Sequence, residues 1–408
     1  MPNLESASEA IGNPAIKQSS NRESDMYRLN ADQQKIIDTV RKVADEAIAP
    51  HAADSDQKGA FPKESLRALA GAGLYGLTVP REFGGMGEGL RTMTAVLDEI
   101  AQRCASTAMV YKMHLCGVAC YAAKPNVASR QLRDAAAGKH LSTLAWSEKG
   151  SRSHFWAPIS QAQAVNGHLV LNAEKSFVTS AGEADGYVVS TRTAGGTAPT
   201  DSMLYLVLKE DEGMTASGSW NGLGMRGNAS APMRLTNVKV KPDRALSDPS
   251  QGFASMLQTV LPVFCIGNGA IAVGVCEAAV NSTAGHLTGK GFEHLNSKLA
   301  DLPNLRARLA QMRIETDKAR AHLVSVLDAV ESGSPAAMLM ILESKAAAGD
   351  SALEVTDLGM RACGGAAFAK HLSVERNFRD ARALTVMAPT SDVLHDFIGK
   401  ALCGMELF

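Results

Sequence analysis

The sequence lacks an excess of charge of either sign. Its 41 lysines and arginines balance 42 aspartates and glutamates, which gives a formal net charge of −1 at pH 7. Proteins that bind nucleic acids need a concentrated basic surface to neutralise phosphate groups. The balance of charges therefore argues against a nucleic acid partner.

A long apolar run without interruption is absent as well. The most apolar stretch, residues 256–280, contains Gln258, Pro262, Asn268 and Glu277, too many polar or helix-breaking residues for a membrane-spanning helix. The first 27 residues are polar and lack the charged-then-apolar pattern of a targeting signal. We therefore expect a disordered tail over 1–27, no membrane contact and a cytoplasmic protein.

The cysteines and histidines do not have the spacing of a metal site. Cys116 and Cys120 lie four residues apart on a predicted helix, but no second pair of Cys or His residues stands at the distance that a zinc site requires. The 7 cysteines are therefore expected to be mainly small core residues, and no metal is predicted.

The apolar spacing changes along the chain, whose 408 residues are enough for about two to three domains. Residues 28–139 have helical spacing, which predicts an N-terminal helical domain. Residues 140–245 contain short apolar or β-branched runs between turn residues, which predicts a central antiparallel, barrel-like β domain. Helical spacing returns over residues 246–408. Strands between two runs of helices indicate an α+β fold.

Short local patterns carry structural predictions. Asn30 and Gln33 have the spacing of a capping box, and Pro50 is expected to stop the first helix. Residues 222–227 read Gly-Leu-Gly-Met-Arg-Gly, which matches a dinucleotide-binding fingerprint letter for letter. That fingerprint has a mechanism only when it opens a helix, whereas a strand is predicted to follow here. A turn is therefore favoured.

Several separated motifs carry a family resemblance. They are the glycine-rich loop within residues 73–87, Asn-Ala-Glu-Lys-Ser-Phe-Val-Thr at 172–179, Met-Arg-Ala-Cys-Gly-Gly at 360–365, and the C-terminal stretch 376–404. In this order they resemble the flavin-dependent acyl-CoA dehydrogenases over residues 30–408. The resemblance implies a C-terminal four-helix bundle after the β domain, and FAD held between the subunits of a homodimer or homotetramer.

The resemblance also implies which residues meet the flavin. Phe177 would form a wall against the ring, Thr179 would donate a hydrogen bond to flavin N5, and Ser147 would reach the pyrimidine edge. Phe177 alone would be an ordinary core residue, and the paired glycines near the end of the third motif alone would be a helix-end turn. The remaining expected cofactor contacts are Arg361, Gly364, Gly365, Thr390 and Asp392.

The sequence departs from the family at the catalytic base. Ala388 stands where the family places its catalytic glutamate, and Phe264 stands at the alternative position for that carboxylate. Two expected arginines align with Cys265 and Phe292, with Lys290 as a possible replacement for the second. A charge-assisted phosphate contact contributes about 1.5 to 3 kcal/mol, so these differences weaken the prediction of tightly held FAD and of CoA binding.

Other polar residues are candidates for catalysis. Tyr111 and His114 lie on a helix whose family counterpart faces the substrate, while Arg152 and His154 stand beside the expected flavin entrance. A single histidine on an apolar helix is more often a structural residue, so His114 has both interpretations. His154 replaces an aspartate of the family pattern.

These departures favour one function and leave two alternatives open. Removal of an α-proton needs a base that neither alanine nor phenylalanine supplies. The preferred hypothesis is a monooxygenase that uses O2 and reduced flavin, either FAD or FMN, supplied by a separate reductase, on N, S or C of a small substrate. The alternative is an acyl-CoA or acyl-carrier-protein dehydrogenase with a relocated base, served by an electron-transfer flavoprotein. The third is a flavin-binding protein without redox function.

Overall fold

The computed structural model describes residues 26–151 and 154–407. Most of the predicted tail therefore lies outside the described residues. Tyr27, the last residue of that tail, is buried, and its hydroxyl donates to Asp98 Oδ2 at 2.8 Å. The prediction of disorder is wrong at Tyr27, because its ring packs into the core and its hydroxyl has a buried partner.

The N-terminal part is helical, as predicted. Asn30 Oδ1 accepts from the backbone of Gln33 and Gln33 Oε1 accepts from the backbone of Asn30, each at 3.0 Å, which confirms the capping box. The helices are α1 (Ala31–Val43), α2 (Ala49–Lys58), α3 (Lys63–Gly71), α4 (Leu90–Ala101), α5 (Ala105–Ala123) and α6 (Pro125–Ala136).

Pro50 does not stop the first helix. A π-helical turn over Ala44–Ile48 follows α1 directly, and Pro50 occupies the first turn of α2. A proline is tolerated there because the backbone N–H groups of a first turn have no helical partner in any case. Pro50 therefore marks the beginning of α2 and not the end of α1.

The central part consists of two sheets. One has the strand order β1-β4-β5 and the other β2-β3-β7-β6. The prediction of an antiparallel domain fails at one pair, because β1 pairs in parallel with β4. A parallel pair needs a crossover connection, which the excursion through β2 and β3 into the second sheet provides. The strands are β1 (Ser142–Ala145), β2 (Gln163–Val165), β3 (His168–Val178), β4 (Gly186–Arg192), β5 (Ser202–Leu208), β6 (Met214–Ala216) and β7 (Ala231–Val240).

The glycine-rich stretch 222–227 leads into β7 after a short 3-10 turn at Arg226–Asn228, so it does not open a helix. This confirms the predicted turn.

The C-terminal part is again helical, with a two-stranded hairpin of β8 (Gly291–Phe292) and β9 (Ser297–Lys298). A π-helical turn over Met256–Val260 joins α7 to α8. The helices are α7 (Gly252–Ser255), α8 (Leu261–Gly289), α9 (Pro303–Glu331), α10 (Ala337–Cys363), α11 (Gly365–Phe368), α12 (Val374–Val386) and α13 (Ser391–Leu402).

Helix α8 is the central element of the core and packs against α4, α5, α9, α10 and α12. Two of its glycines allow close contact with neighbouring helices. A Cβ atom on Gly274 would lie 2.4 Å from the carbonyl oxygen of Asp98 on α4, and one on Gly267 would lie 2.8 Å from Lys112 Cγ on α5. By length and composition the helical run Gly252–Gly289 would be long and apolar enough to cross a membrane, but its most apolar window is 78% buried in the protein. That burial is typical of a core helix.

Candidate functional site

A cavity of about 870 Å³ opens between the β domain and the C-terminal helices. Its wall is formed by the segment after β1, the end of β3, the loop before β7, the start of α8 and the end of α12. Cavities of this size commonly hold cofactors and small molecules. Among the lining residues are Trp146, Ser147, Phe177, Thr179, Phe264, Met387 and Ala388.

Phe177 presents an uncovered aromatic face in this cavity. The register between β3 and β7 shifts between Lys175 and Val178, and Phe177 has a positive φ of 54°. This backbone conformation is uncommon for a bulky residue and turns the ring outward, so that it is 72% exposed. Its only described aromatic neighbour is Trp220, edge-on at 6.5 Å between ring centroids. An exposed ring at a cavity wall fits a planar ligand such as a flavin ring.

Hydrogen-bonding groups stand beside that wall. The indole Nε1 of Trp146 is buried and has no acceptor among the described residues. Thr179 Oγ1 shares a hydrogen bond with Ser230 Oγ at 3.0 Å, and the partly buried Ser147 also lines the cavity. An aromatic wall combined with an unpartnered buried donor matches the face and the polar edge of a flavin ring. These residues therefore fit the ring of the predicted cofactor.

The structure separates the other predicted cofactor contacts from the cavity. Arg361, Gly364 and Gly365 are exposed and do not line it, and a Cβ atom on either glycine would meet no atom within 4 Å. Thr390 caps α13, accepting from the backbone of Val393 at 3.4 Å, and Asp392 is exposed in the first turn of that helix. Within one protomer, only Ser147, Phe177 and Thr179 of the predicted contacts join Ala388 at the cavity.

Glu148 lines the cavity but cannot serve as a base. Its carboxylate pairs with the buried Lys175 at 2.6 Å and accepts from the backbone of Ile159 and Ser160, each at 2.8 Å. Burial alone would raise the pKa of Glu148, but Lys175 and Ser160 hold it below its usual value. The carboxylate is therefore ionised and fully occupied by hydrogen bonds.

The positions expected for a catalytic carboxylate are apolar in the folded protein too. Phe264, at the start of α8, and Ala388, after α12, both line the cavity. Besides Glu148, the lining carboxylate is Glu174, which pairs with Arg234 at 3.1 Å on the exposed side. Among the described residues that line the cavity, every carboxylate therefore has a cationic partner.

Tyr111 and His114 do not line the cavity, and both have buried backbone partners. The hydroxyl of Tyr111 donates to the Leu74 carbonyl at 2.6 Å. The backbone N–H of Ser142 donates to His114 Nδ1 at 3.2 Å, so Nε2 carries the proton and donates to the Tyr75 carbonyl at 2.9 Å. Burial lowers the pKa of His114 to about 4. These contacts make both side chains structural links between α5 and its neighbours.

His154 does not line the cavity either. His154 is exposed, and its ring stacks on Trp156 with centroids 4.9 Å apart, outside the lining residues. Arg152 lies outside the described residues. Cys265, which aligns with one missing arginine, is buried, whereas Phe292 is on the exposed β8 strand.

Two buried lysines lie near the cavity that were not predicted from the sequence. Lys112 of α5 is fully buried, and its Nζ lies 3.7 Å from the centroid of the Phe264 ring. Lys345 of α10 donates to the carbonyls of Leu384, Met387 and Pro389 at 3.1, 3.2 and 2.7 Å, and thereby holds the turn that carries Ala388. The sequence feature that could have identified Lys112 is the presence of a lysine within the largely apolar helix α5, because buried lysines are rare.

The chain matches family models over most of its length. Residues 30–139 match the acyl-CoA dehydrogenase N-terminal domain, residues 143–238 the middle domain and residues 250–403 the C-terminal domain. A probable acyl-CoA dehydrogenase, FadE25 of Mycobacterium tuberculosis, is 26% identical over 96% of this chain and 98% of its own. The cyclohex-1-ene-1-carbonyl-CoA dehydrogenase of Geobacter metallireducens is 28% identical over 92% of this chain and 99% of its own.

Solved structures share the fold. Butyryl-CoA dehydrogenase from Megasphaera elsdenii superimposes with a TM-score of 0.84 at 22% identity, covering 92% of this chain and 99% of that one. FMN-bound TdsC from Paenibacillus sp. A11-2 gives 0.81 at 21% identity, covering 91% and 97%. Fold, aromatic-walled cavity and sequence matches together define a flavoprotein oxidoreductase. The chain belongs to the acyl-CoA dehydrogenase family, which implies FAD as its cofactor, and the predicted α+β fold is confirmed.

Proposed function

We propose that this flavoprotein is a monooxygenase that uses reduced flavin and O2 to oxygenate N, S or C of a small, largely apolar substrate. The observation that carries the proposal is the cavity wall. Apolar Phe264 and Ala388 occupy both positions where the family resemblance places a catalytic carboxylate, and the described lining carboxylates are paired with cations. Such a wall is suited to a reaction that needs no carboxylate base.

The residues of the cavity serve oxygenation in defined ways. Phe177 would cover one face of the flavin ring, while the Thr179 hydroxyl and the Trp146 indole N–H would donate hydrogen bonds to its polar edge. Phe264 and Ala388 contribute apolar surface that excludes water from the substrate side, which limits side reactions. When bound, the reduced flavin supplies the electrons that activate O2.

The cofactor contacts within one protomer support a flavin that exchanges with solution. Ser147, Phe177 and Thr179 line the cavity, whereas Arg361 and Gly364 do not. The contacts within one protomer are therefore concentrated on the ring, which FAD and FMN have in common. The FMN-bound neighbour TdsC supports FMN as an alternative ligand. A separate flavin reductase would then deliver the reduced cofactor, and a homodimer or homotetramer would supply further contacts from a second subunit.

Dehydrogenation of an acyl thioester, carried by CoA or an acyl carrier protein, is the second candidate. Its support is the names of the sequence relatives, which are dehydrogenases over nearly the whole chain. This reaction needs a base to accept the α-proton, and the cavity would have to provide it from a residue other than a carboxylate. An electron-transfer flavoprotein would then accept the electrons.

Two measurements on one purified preparation separate the candidates. For a monooxygenase, we expect the complex with reduced flavin to react with O2 in more than one spectral phase before oxidised flavin returns. Anaerobic addition of acyl-CoA thioesters of several chain lengths should leave oxidised flavin unchanged. Rapid bleaching by any thioester, together with single-phase reoxidation, would refute the oxygenase proposal and support the dehydrogenase. The Ala388→Glu variant is the positive control for bleaching, because it restores a carboxylate at the family position.

A further inference from the structure

A buried amine without a hydrogen-bond partner lies directly behind the cavity wall. Lys112 is 0% exposed, and its Nζ has no hydrogen-bond partner among the described residues. Its charge is supported by the ring of Phe264, whose centroid lies 3.7 Å from Nζ. Phe264 is itself partly exposed and lines the cavity. A single aromatic ring therefore separates the amine from the space where a substrate would bind.

The position of Lys112 is not a consequence of loose packing. Gly267 of α8 provides the space for its alkyl chain, since a Cβ atom there would lie 2.8 Å from Lys112 Cγ. A buried amine that lacks a carboxylate or carbonyl partner is costly, and a cation–π contact offsets only part of this cost. A hydrophobic residue of similar length would fill the same space without this cost. The amine therefore needs an explanation beyond packing.

The titratable groups around Lys112 leave it able to accept a proton. They are Cys116 on the same helix, Cys265 on α8 and Lys345 on α10. Burial, reinforced by the charge of Lys345, lowers the pKa of Lys112 to about 7. Burial raises the pKa of Cys116 to about 12 and that of Cys265 to about 11, so neither thiol provides a counter-ion near neutral pH.

Other buried basic groups near the cavity are already engaged. Lys345 donates to a set of backbone carbonyls, and Lys175 is paired with Glu148 at 2.6 Å. His114 uses both ring nitrogens in backbone hydrogen bonds. Lys112 differs from all of them because its nitrogen makes no hydrogen bond within the described part of the chain.

We propose that Lys112 is the proton-accepting residue of this cavity and that Phe264 is its gate. When the ring of Phe264 turns aside, the neutral amine takes a proton from a weakly acidic O–H, N–H or carbonyl-activated C–H group of the substrate. The substrate X–H bond breaks, an N–H bond forms, and the substrate anion pairs with the new ammonium group. No oxidant takes part in this step.

The inference names a substrate class: an apolar molecule with one weakly acidic group. It rests on the proposed function only in taking this cavity as the substrate site. As a base, Lys112 would serve oxygenation of an ionised substrate, and it would equally be the relocated base that thioester dehydrogenation needs. The inference can therefore fail or succeed separately from the choice between those reactions.

The experiment uses 4-nitrophenol as a probe, because its ionised form has a separate absorbance band. Difference spectra of the holoenzyme with and without probe are recorded across neutral pH. In the wild type we expect the bound probe to ionise about one pH unit or more below the free probe, the direction that a nearby cation imposes. Lys112→Met, which keeps the length of the side chain, should abolish this shift. Lys149→Met, at an exposed lysine that lines the same cavity, should retain it.

A second variant keeps the test decisive should Lys112→Met fail to fold. Phe264→Leu removes the ring but keeps an apolar side chain, and we expect it to increase the rate at which the phenolate band appears. The proposal is overturned when the wild type gives no bound phenolate band at any probe concentration. It is also overturned when Lys112→Met retains the full shift, or when Phe264→Leu leaves the rate unchanged. The colour change needs no flavin turnover, so these outcomes do not depend on the redox reaction.

Discussion

We expect Glu277→Gln to destabilise the helical core by an amount that depends on pH. The Glu277 carboxylate is fully buried on α8. It accepts hydrogen bonds from both terminal nitrogens of Arg313, at 2.8 and 2.7 Å, and from Arg320 at 3.2 Å. Arg320 also pairs with Asp98 of α4 at 3.1 Å. The network thus joins α8, α9 and α4 within the helical core.

The magnitude follows from the ionisation of Glu277. Burial would raise the pKa of this carboxyl group, but Arg313 and Arg320 lower it from 4.5 to about 2. At about 1.4 kcal/mol per pH unit, this difference corresponds to about 3 kcal/mol of folding free energy. The value agrees with the cost of about 3–5 kcal/mol for removing one partner of a buried ion pair. Because the folded pKa is below the unfolded one, this stabilisation is complete above pH 4.5 and is lost as pH falls towards 2.

The assay is urea unfolding of wild type and variant at about pH 6 and about pH 3, followed by circular dichroism. The difference in the free energy of unfolding should be about 3 kcal/mol at the higher pH and clearly smaller at the lower one. Glu174→Gln is the matched control, because its partner Arg234 is exposed and such pairs contribute about 0–1 kcal/mol. A difference that is independent of pH, or no larger than that of the control, would show that the buried network does not act as described.

Three further predictions concern the cavity. Phe177→Ala should weaken flavin binding about twofold to tenfold, because an aromatic stacking contact contributes about 0.5–1.5 kcal/mol. Fluorescence titration with FAD and FMN measures this change in affinity, and an unchanged affinity would show that Phe177 does not contact the flavin ring. His114→Gln should lower the melting temperature without altering the pH dependence of activity between about pH 5 and pH 8, since the histidine is neutral and outside the cavity. Loss of an ionisation from the pH profile of activity would contradict this prediction. Lys345→Met should increase proteolysis of the turn around Ala388, since that turn loses its carbonyl contacts; the exposed Lys149→Met should not.

The fold could be predicted from the sequence wherever one local pattern determined the outcome. The capping box at Asn30 is an example, because both of its hydrogen bonds lie within one helical turn. Pro50 misled because a proline has the same appearance at the end of a helix and in the first turn of the next one. The parallel pairing of β1 was missed because it depends on a partner more than forty residues away, between Ser142 and Gly186. Periodicity contains no information on that choice.

The candidate site was predictable in part and for a different reason. The family resemblance placed Phe177, Thr179 and Ala388 around one flavin, and all three line the same cavity. It could not show that His114 has both nitrogens in backbone hydrogen bonds. Nor could it indicate that Lys112 faces Phe264, because this contact joins two helices that are far apart in the sequence. Contacts between helices that are distant in the sequence determine which polar residues remain free to act on a ligand, and local motifs do not reveal these contacts.

The glycines of α8 have a consequence for how this protein can change its substrate. At Gly274 and Gly267 the helix touches its neighbours so closely that any side chain would collide with a backbone carbonyl or with Lys112. Moving α8 to enlarge or narrow the cavity would therefore disturb several helices at once. Substitutions at Phe264 and Ala388 alter the same space while the helix stays in place. Selection for new substrates, in nature or in a laboratory library, should accordingly collect mutations at these wall positions and leave Gly267 and Gly274 unchanged.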